Sequence, residues 1–353
     1  MPRKGRGALS QPDGRYLEAT REAFDDGWPE DAPAAPPLKT TLTWEKAKSL
    51  ISRNDSPDIP FEQSINPFRG CEHGCIYCYA RPAHAYVDLS PGLDFESRLF
   101  AKADAAALLR EALAAPGYQC RAIALGANTD AYQPLERRLG VTRSILEELA
   151  AANHPVTIVT KSALVERDLD LLGPMGQRGL AQVFLSVTTR DVALARLMEP
   201  RASAPRRRLQ AISRLAEAGV PTGVMFAPVI PALNDHELES VLEAAAAAGA
   251  LYAGYVMLRL PREVNPLFKQ WLAEHYPLRA ERIMARIRDL RGGQESDATF
   301  GRRLVGTGVF AQLVRDRFQR ACREHRLNRS EHRLDTRQFR APRLDGQFDL
   351  FDA

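Results

Sequence analysis

The sequence predicts an α/β fold in which parallel strands alternate with helices, and three observations support it. Short apolar runs rich in β-branched residues recur along the chain, and stretches of helix-forming residues with apolar positions three to four apart lie between them. The runs are continuously apolar, which is typical of parallel strands buried on both faces. At 353 residues and 45% hydrophobic content, the chain is long enough for one large α/β domain or two ordinary ones.

Six strand-plus-helix repeats are predicted in order. One strand is expected just before Cys71, and five more are expected at residues 121–127, 156–162, 181–189, 221–230 and 253–261. Helices are expected at residues 101–114, 141–152, 204–218, 236–248 and 267–290, with a further short helix at 42–51. Six repeats are too few for a closed eight-stranded barrel. A doubly wound open sheet fits the same pattern, but no G-x-G-x-x-G dinucleotide-binding sequence follows the first strand.

The net charge of +4 conceals an uneven distribution. Residues 279–343 contain 17 Arg, no Lys and eight acidic residues, so the rest of the chain is net negative. Such a segment is expected either of a surface that faces nucleic-acid phosphates or of solvated arginine-rich helices without a ligand. Because no apolar run reaches membrane-spanning length and the N-terminus lacks a secretory signal, a cytoplasmic location without a membrane partner is predicted.

Three of the five cysteines fall within eight residues as C-x3-C-x2-C, namely Cys71, Cys75 and Cys78. Thiolates at this density favour zinc, copper(I) or an iron–sulfur cluster. A structural zinc site would need a fourth ligand, for which the candidates are His73, Cys120 and Cys322. A cubane cluster held by three thiolates needs no fourth residue and leaves one iron open. A disulfide would leave one of the three cysteines unpaired.

Polar residues follow four of the predicted strands at their carboxyl ends, where parallel barrels carry their reactive groups. They are Thr129 and Asp130 after the second strand, Thr160 and Lys161 after the third, Ser186 after the fourth and Arg259 after the sixth. Strands end in polar residues anyway, but four such ends together favour a site. A guanidinium binds phosphate or carboxylate through two parallel hydrogen bonds, which makes Arg259 the best anion ligand; an ion pair at the rim is its alternative.

The cysteine arrangement, with Tyr77 before its last member, resembles the cluster motif of the radical S-adenosylmethionine (SAM) superfamily. The stretch SINPFRGCEHGCIYCYARPAHAY (64–86), together with the strand-end residues, is similar to the spore photoproduct lyase branch and to bacterial proteins described as DNA-repair-photolyase-like. The resemblance implies a partial (β/α)6 barrel, a 4Fe-4S cluster on the three motif cysteines and SAM on the open iron. One electron from the cluster would cleave SAM to a 5'-deoxyadenosyl radical that abstracts hydrogen.

The resemblance also implies roles for single residues. The residues implied to bind SAM are Tyr77, Thr129, Asp130, Lys161 and Ser186, with the Lys161 ammonium pairing with the SAM carboxylate. The residues expected to contact substrate are Glu136, Glu199, Arg201 and Arg259. For Glu199 and Arg201, a salt bridge at a helix end is the alternative.

One departure from the lyase branch concerns the hydrogen donor. Spore photoproduct lyase has a cysteine two residues before the strand-2 hydroxyl, and Ala127 stands at that position here. Cys120 lies at the opposite end of the strand, so the lyase's route is expected either to be impaired or to be finished by another donor, such as Tyr79 or Tyr132. Authentic spore photoproduct lyase activity is therefore less expected than the shared radical chemistry.

Four regions are predicted along the chain: a flexible N-terminal extension (1–40), the partial barrel (41–290), an arginine-rich C-terminal helical segment (291–340) and a disordered tail (341–353). The tail contains QFDLF, which resembles the peptide by which bacterial replication and repair proteins dock on the sliding clamp. In that interpretation Leu350 and Phe351 enter an apolar pocket, and Gln347 fixes the register. The alternative is an apolar terminus folded back on the barrel.

The sequence thus predicts a cytoplasmic radical SAM enzyme, lyase-like, that acts on DNA or a nucleotide lesion and receives electrons from a flavodoxin or ferredoxin. One alternative is the same radical chemistry on tRNA or a peptide. The other is a zinc-stabilised nucleic-acid-binding protein without catalysis.

Overall fold

The computed structural model describes residues 3–16, 38–330 and 333–344. Their strands, in chain order, are β1 (Thr41–Glu45), β2 (Ile51–Arg53), β3 (Gln63–Ile65), β4 (Phe68–Arg69), β5 (Arg98–Lys102), β6 (Ile123–Leu125), β7 (Val156–Thr160), β8 (Ala181–Ser186), β9 (Thr222–Val229) and β10 (Tyr252–Met257). Their α-helices are α1 (Leu93–Ser97), α2 (Ala105–Ala114), α3 (Glu136–Leu139), α4 (Val141–Ala151), α5 (Leu169–Gln177), α6 (Val192–Met198), α7 (Pro205–Glu217), α8 (Leu238–Ala247), α9 (Val264–His275), α10 (Ala280–Leu290) and α11 (Gly308–Glu324).

Six parallel strands form the framework that positions the site. Their order across the sheet is β3-β6-β7-β8-β9-β10, and β2 adds an antiparallel strand beside β3. All of β6 and all but one residue of β8 are buried, because helices cover the sheet and these strands are mostly apolar. Sheet order follows chain order, as successive β-α-β units produce. The predicted partial (β/α)6 barrel is confirmed.

The predicted helix at residues 42–51 is wrong. Thr41–Glu45 is the strand β1, which pairs in parallel with β5, and β4 pairs with the other side of β5 to make a small second sheet. Ile51–Arg53 is a strand as well and pairs with β3. The residues around Glu45 favour a helix locally, but pairing with strands distant in sequence overrides that preference. For the same reason the helix predicted from residue 101 begins only at Ala105, after β5 has ended.

Two further differences between predicted and observed helices have local causes. The helix predicted at 267–290 is the pair α9 and α10, separated around Pro277, whose ring cannot continue a helix. Helix α5 was not predicted, because Gly173, Pro174 and Gly176 lower its helix propensity. The helices predicted at 141–152, 204–218 and 236–248 agree with α4, α7 and α8 within two residues. None of the helices in the described ranges is both long enough and apolar enough to cross a membrane.

The loop that carries the motif cysteines rests on an apolar core of its own, separate from the core beneath the sheet. Ile76 is fully buried in that core with Met198 and Trp271. The Ile76 amide donates to the Met198 carbonyl at 3.0 Å, and the Trp271 indole donates to the Leu197 carbonyl at 3.2 Å. Helices α6 and α9 therefore support the loop through this separate core.

Several arginines of residues 279–343 are engaged within the protein. Arg303 pairs with Asp58 at 2.6 Å, and Arg317 pairs with Glu239 at 2.6 Å. Arg291 is buried and donates to the Leu258 carbonyl at 2.7 Å. Guanidiniums with such partners have fewer donors left for phosphates, so at these positions the arginines hold the fold together.

Residues 333–344 lie against the amino-terminal ends of the strands. The Arg340 amide donates to the carbonyl of Ala152, which precedes β7, at 2.9 Å. Phe339 packs on Tyr118 and His154, with ring centroids 5.4 Å from each. This end of the sheet is opposite to the strand ends that carry the predicted site residues.

We expect His154 to make the stability of the protein depend on pH. Its ring is fully buried, the Tyr118 hydroxyl lies 2.8 Å from Nε2, and burial lowers the pKa of His154 from 6.5 to about 4. As the pH falls, His154 takes up a proton in the unfolded chain before it does so in the folded one. Its contribution to stability is therefore complete above about pH 6.5 and decreases as the pH falls towards 4. The free energy of unfolding, measured with denaturant, should therefore fall by about 2 kcal/mol between about pH 7.5 and about pH 5 because of this residue.

His154→Gln is the control for that measurement, because glutamine keeps a polar partner for Tyr118 but does not titrate. This part of the pH dependence should disappear in the variant. An unchanged pH dependence would show that His154 does not cause it.

Candidate cofactor and active site

The cysteine loop, residues 70–80, directly follows β4 and lies beyond the carboxyl end of β3, the first of the parallel strands. Cys71 and Cys75 are buried, and Cys78 is half-buried. Gly74 has a φ of +67°, and a Cβ placed there would lie 2.8 Å from a carboxylate oxygen of Glu96. The Cys78 amide donates to the Cys75 carbonyl at 3.2 Å. A tight turn at glycine thus brings the three thiols onto one short loop.

A buried ion pair holds the cysteine loop in place. Arg81 and Glu96 are both fully buried and lie 2.5 Å apart. Arg81 also donates to the carbonyls of Gly74 and Cys75 at 3.2 and 3.0 Å. Glu96 in turn accepts the amide of Gly7 at 2.9 Å. Residues 3–16, predicted as part of a flexible extension, therefore contact this network directly.

Asp130 links the cysteine loop to the end of β7. It accepts hydrogen bonds from the Thr160 hydroxyl at 2.7 Å and from the Lys161 amide at 2.8 Å, and it lies 3.2 Å from Nδ1 of His73. Burial raises the pKa of Asp130, but the charge of His73 and the hydrogen bonds outweigh it, so the pKa lies below its usual range. An ionised Asp130 therefore holds the His73 ring and the Lys161 backbone in position.

Lys161 points its ammonium towards the cysteine loop. Its Nζ lies 5.9 Å from the centroid of the buried Tyr77 ring. Burial lowers the pKa of Lys161, but the charges of Cys75, Glu199 and Asp130 together raise it by more, so the pKa lies above its usual value. Within the described part of the chain Lys161 has no carboxylate within salt-bridge distance. A cation without a paired anion favours binding of an anionic group from another molecule.

Two hydroxyl residues predicted to bind SAM, Thr129 and Ser186, lie at the carboxyl ends of their strands, as Lys161 does. Thr129 is buried, and its hydroxyl donates to the Phe68 carbonyl just before the cysteine loop at 2.6 Å. Its oxygen keeps acceptor capacity for a further partner. Ser186 is buried at the end of β8, and its carbonyl accepts Nη1 of Arg208 at 2.9 Å.

Glu199 is the centre of a second buried network, which joins the cysteine loop to α6 and α7. It pairs with Arg208 and accepts a hydrogen bond from the Tyr77 hydroxyl. The Thr188 hydroxyl donates to it at 2.7 Å. Burial and the Glu199 charge raise the pKa of Tyr77, so the phenol stays protonated. Arg208 was missed in the sequence, because it lies among the consecutive arginines of residues 206–208, which read as a solvated helix face.

The residues predicted to contact substrate are placed differently from one another. Glu136 is fully buried, accepts the Thr142 amide at 3.0 Å and pairs with Arg167 at 2.8 Å, so it anchors the start of α4. Arg201 pairs with Glu72 at 3.2 Å. In contrast to these, Arg259 lines an open cleft.

The two tyrosines predicted as hydrogen donors differ in position. The Tyr79 side chain is about half exposed, and its hydroxyl donates to the Ala127 carbonyl at the end of β6. Tyr132 is fully buried, and its hydroxyl donates to Asp168 at 2.9 Å. Tyr79 therefore places a phenol at the strand position where the lyase branch has its cysteine, whereas Tyr132 is directed into the protein.

The donor set fits a cluster better than a single ion. Within the described ranges, no three His, Cys, Asp or Glu side chains converge closely enough to share one metal ion. His73, proposed above as a fourth zinc ligand, instead contacts Asp130. A cubane takes each thiolate on a different iron, so its sulfurs need not converge. Burial raises the pKa of the three thiols, for Cys75 to about 12, so metal binding must release their protons.

Comparison with known families identifies this arrangement. A family model described as the Radical SAM superfamily matches residues 65–245, which include the cysteine loop and the strands β6 to β9. The chain belongs to the radical SAM superfamily. It is therefore an enzyme that uses a 4Fe-4S cluster and SAM and that needs a reductant, and the non-catalytic zinc alternative is wrong.

Relatives of this radical SAM protein occur in bacteria and archaea. An uncharacterized protein of Mycobacterium tuberculosis is 38% identical over 254 residues, which cover 70% of this chain and 74% of the relative. An uncharacterized protein of Methanocaldococcus jannaschii is 28% identical over 232 residues, which cover 66% of this chain and 82% of the relative.

Among solved structures, spore photoproduct lyase complexed with dinucleoside spore photoproduct has a TM-score of 0.56 at 17% identity, covering 80% of this chain and 79% of the lyase. Another structure of that lyase, with bound AdoMet and dinucleoside spore photoproduct, has a TM-score of 0.55 at the same identity and coverage. At this identity the similarity shows a common fold.

Proposed function

We propose that this radical SAM enzyme acts on DNA or on a nucleotide lesion in a lyase-like repair reaction, in the cytoplasm. When bound, the cluster and SAM supply a 5'-deoxyadenosyl radical. The observation that carries the proposal is the phenol of Tyr79, within the cysteine loop, which contacts the Ala127 carbonyl at the edge of an open cleft. A half-exposed hydrogen donor at this position suits a substrate radical that must be quenched after the lesion has rearranged.

The residues of the chain divide the remaining work. Cys71, Cys75 and Cys78 would hold the cluster as thiolates. Because burial raises the pKa of all three thiols, they would release their protons only when the cluster binds. Lys161 would neutralise the SAM carboxylate, and the hydroxyls of Thr129 and Ser186 would complete the SAM contacts. Support comes from the raised pKa of Lys161 and from the position of all three residues at strand ends around the loop.

The experiment uses the anaerobically reconstituted enzyme with a chemical reductant and SAM. Irradiated oligonucleotide, the same oligonucleotide without irradiation, and tRNA are supplied in parallel. We expect 5'-deoxyadenosine formation to rise only with the irradiated oligonucleotide, and deuterium from labelled SAM or solvent to enter the repaired product. Equal formation in all arms would contradict a lesion substrate, and a rise with tRNA alone would favour the alternative substrate.

Replacing Lys161 with methionine should weaken SAM binding. The change keeps the length of the side chain but removes the charge proposed to pair with the SAM carboxylate. A hydrogen bond to a charged group contributes about 1.5–3 kcal/mol, so the dissociation constant should rise roughly 10- to 150-fold. Equilibrium binding of SAM to the reconstituted enzyme measures it. Lys269→Met, on α9 and paired with Glu295, is the matched control and should bind SAM normally; equal weakening in both variants would contradict the role of Lys161.

We further propose a flavodoxin or ferredoxin as the electron donor and a sliding clamp as a partner. The clamp peptide residues Gln347, Leu350 and Phe351 lie outside the described residues. Support comes from residues 333–344, which run along the edge of the sheet opposite to the site, so a partner bound beyond them would leave the site accessible. A pull-down with purified clamp should succeed with the full chain and fail after deletion of residues 347–353; undiminished binding would contradict the proposal.

A further inference from the structure

We propose that an aromatic and cationic cleft beside the cysteine loop binds single-stranded nucleic acid, with bases stacked on tyrosine rings and phosphates bound by arginines. The inference rests on the proposed nucleic-acid substrate and names how this chain would hold it. The cleft has a volume of about 230 Å³, and its polar lining residues are Arg15, Tyr79, Tyr86, Asn128, Arg259 and Arg262.

Three tyrosine side chains are exposed in and around the cleft. Tyr16, Tyr79 and Tyr86 have 51%, 48% and 62% of their surface accessible, although each is large enough to contribute to a core. Tyr16 and Tyr86 contact each other with ring centroids 5.3 Å apart. Exposed aromatic faces beside a charged groove are the usual platform for unstacked bases, since every base has a flat face that can stack.

The charges of the cleft are positive and fall into two groups. Arg15 lies 5.0 Å from the Tyr16 ring centroid and 5.2 Å from that of Tyr86, and it pairs with Glu263 at 2.6 Å. This arginine therefore holds the tyrosines in place. Arg259 lies 5.9 Å from the Tyr79 ring centroid, and within the described residues neither it nor Arg262 forms a salt bridge.

The lining contains no acidic side chain, so Arg259 and Arg262 face the cleft without a paired carboxylate, and Arg262 contacts the Tyr86 hydroxyl. Guanidiniums in that state attract phosphate, with which they form paired hydrogen bonds. An acidic peptide would satisfy these charges but would leave the tyrosine faces unused. The combination of rings and arginines favours a nucleotide strand.

The cleft is continuous with the candidate active site. Tyr79 directly follows Cys78, and its hydroxyl contacts Ala127, whereas Asn128 directly precedes Thr129. A strand bound in the cleft would thus present one nucleotide to the cysteine loop. A cleft of about 230 Å³ offers room for one unstacked nucleotide at a time, and a duplex, whose bases already stack on each other, has no free base face for the tyrosines.

The test measures binding of fluorescein-labelled oligonucleotides to the reconstituted full-length chain by anisotropy, without SAM or reductant. Single-stranded DNA, RNA of the same sequence, the DNA duplex and polyglutamate are compared. We expect a single strand to bind more tightly than the duplex and polyglutamate, and the DNA and RNA arms identify which strand is preferred. Duplex or polyglutamate binding as tight as that of both single strands would overturn the proposal.

Variants of Tyr86 and Arg262 separate stacking from charge. Tyr86→Leu should weaken single-strand binding by about 5- to 150-fold, whereas Tyr86→Phe keeps the ring and should stay within about twofold of wild type. Arg262→Ala should lower the salt dependence of log K by about 0.7, the value of one phosphate contact on a single strand. The control is Arg315→Ala, an exposed arginine on α11.

Two results would contradict the cleft. One is equal weakening by the leucine and phenylalanine variants, and the other is a larger loss with Arg315→Ala than with Arg262→Ala. Binding is measured independently of catalysis, so the two proposals fail separately. A chain that binds single strands through Tyr86 but does not act on irradiated DNA refutes the repair reaction alone. A chain that repairs DNA with unchanged affinity in Tyr86→Leu refutes the cleft alone.

Discussion

Replacement of Cys78 by serine should reduce 5'-deoxyadenosine formation at least on the order of 100-fold. Cys78 is the most accessible of the three motif thiols and directly precedes the proposed hydrogen donor Tyr79. Loss of a residue that merely orients a metal ligand already costs about 10- to 100-fold, so loss of a ligand should cost no less. Iron and sulfide content should fall with the activity, and chromatographic detection of 5'-deoxyadenosine after reconstitution measures the effect.

Cys120→Ser is the matched control, since it makes the same chemical change in a cysteine that precedes β6 at the opposite end of the sheet. Iron content and product formation should stay at the wild-type level. If Cys120→Ser also lost iron, or if Cys78→Ser retained it, the assignment of the cluster to the cysteine loop would be wrong.

Replacement of Arg81 by methionine should lower the free energy of unfolding by about 3–5 kcal/mol. Methionine fills much of the same volume but leaves Glu96 fully buried without its cationic partner. Two hydrogen bonds to carbonyls of the cysteine loop, those of Gly74 and Cys75, and two to the carbonyls of Pro91 and Gly92 would be lost as well. Denaturant unfolding of the cluster-free chain measures the change without contributions from metal binding.

The control for that experiment is Arg110→Met. Arg110 pairs with Glu148 at the same distance of 2.5 Å, but its side chain is 53% exposed. An ion pair in water contributes only about 0–1 kcal/mol, because solvent screens the charges and replaces the partner. Similar losses in both variants would indicate that the Arg81 pair is not what stabilises the cysteine loop.

The parts of the fold that could be predicted are those that depend on local pattern. Apolar runs separated by helical periodicity identify the parallel strands β6 to β10, because strands buried on both faces are mostly apolar. Strand β3, with the sequence QSI, carries little of this signal. The small second sheet could not be found this way. Strand β1 pairs with β5 across more than fifty residues, and nothing within Thr41–Glu45 marks that partner.

The same distinction applies to the candidate site, where residues marked by a local sequence pattern were predicted and residues that depend on distant partners were not. Cysteine spacing and polar strand ends identify Cys71, Cys75, Cys78, Thr129, Lys161 and Ser186 as neighbours, since a parallel sheet brings its carboxyl ends together. Arg81 and Arg208 were missed as supports of the loop, because buried ion pairs are defined by partners that the sequence does not indicate. Glu136, predicted near substrate, is instead a buried anchor of α4.

The hydrogen bond from the Gly7 amide to Glu96 has a consequence for how this protein should be divided experimentally. The family model begins at residue 65, yet the buried carboxylate beside the cysteine loop receives backbone donors from residues 7 and 8. Removing residues 7 and 8 would leave the buried Glu96 carboxylate without two of its hydrogen-bond donors. The evolutionary module and the cooperative folding unit therefore have different boundaries. A fragment trimmed to the family match would retain the ligands but lose part of the shell that keeps them ordered.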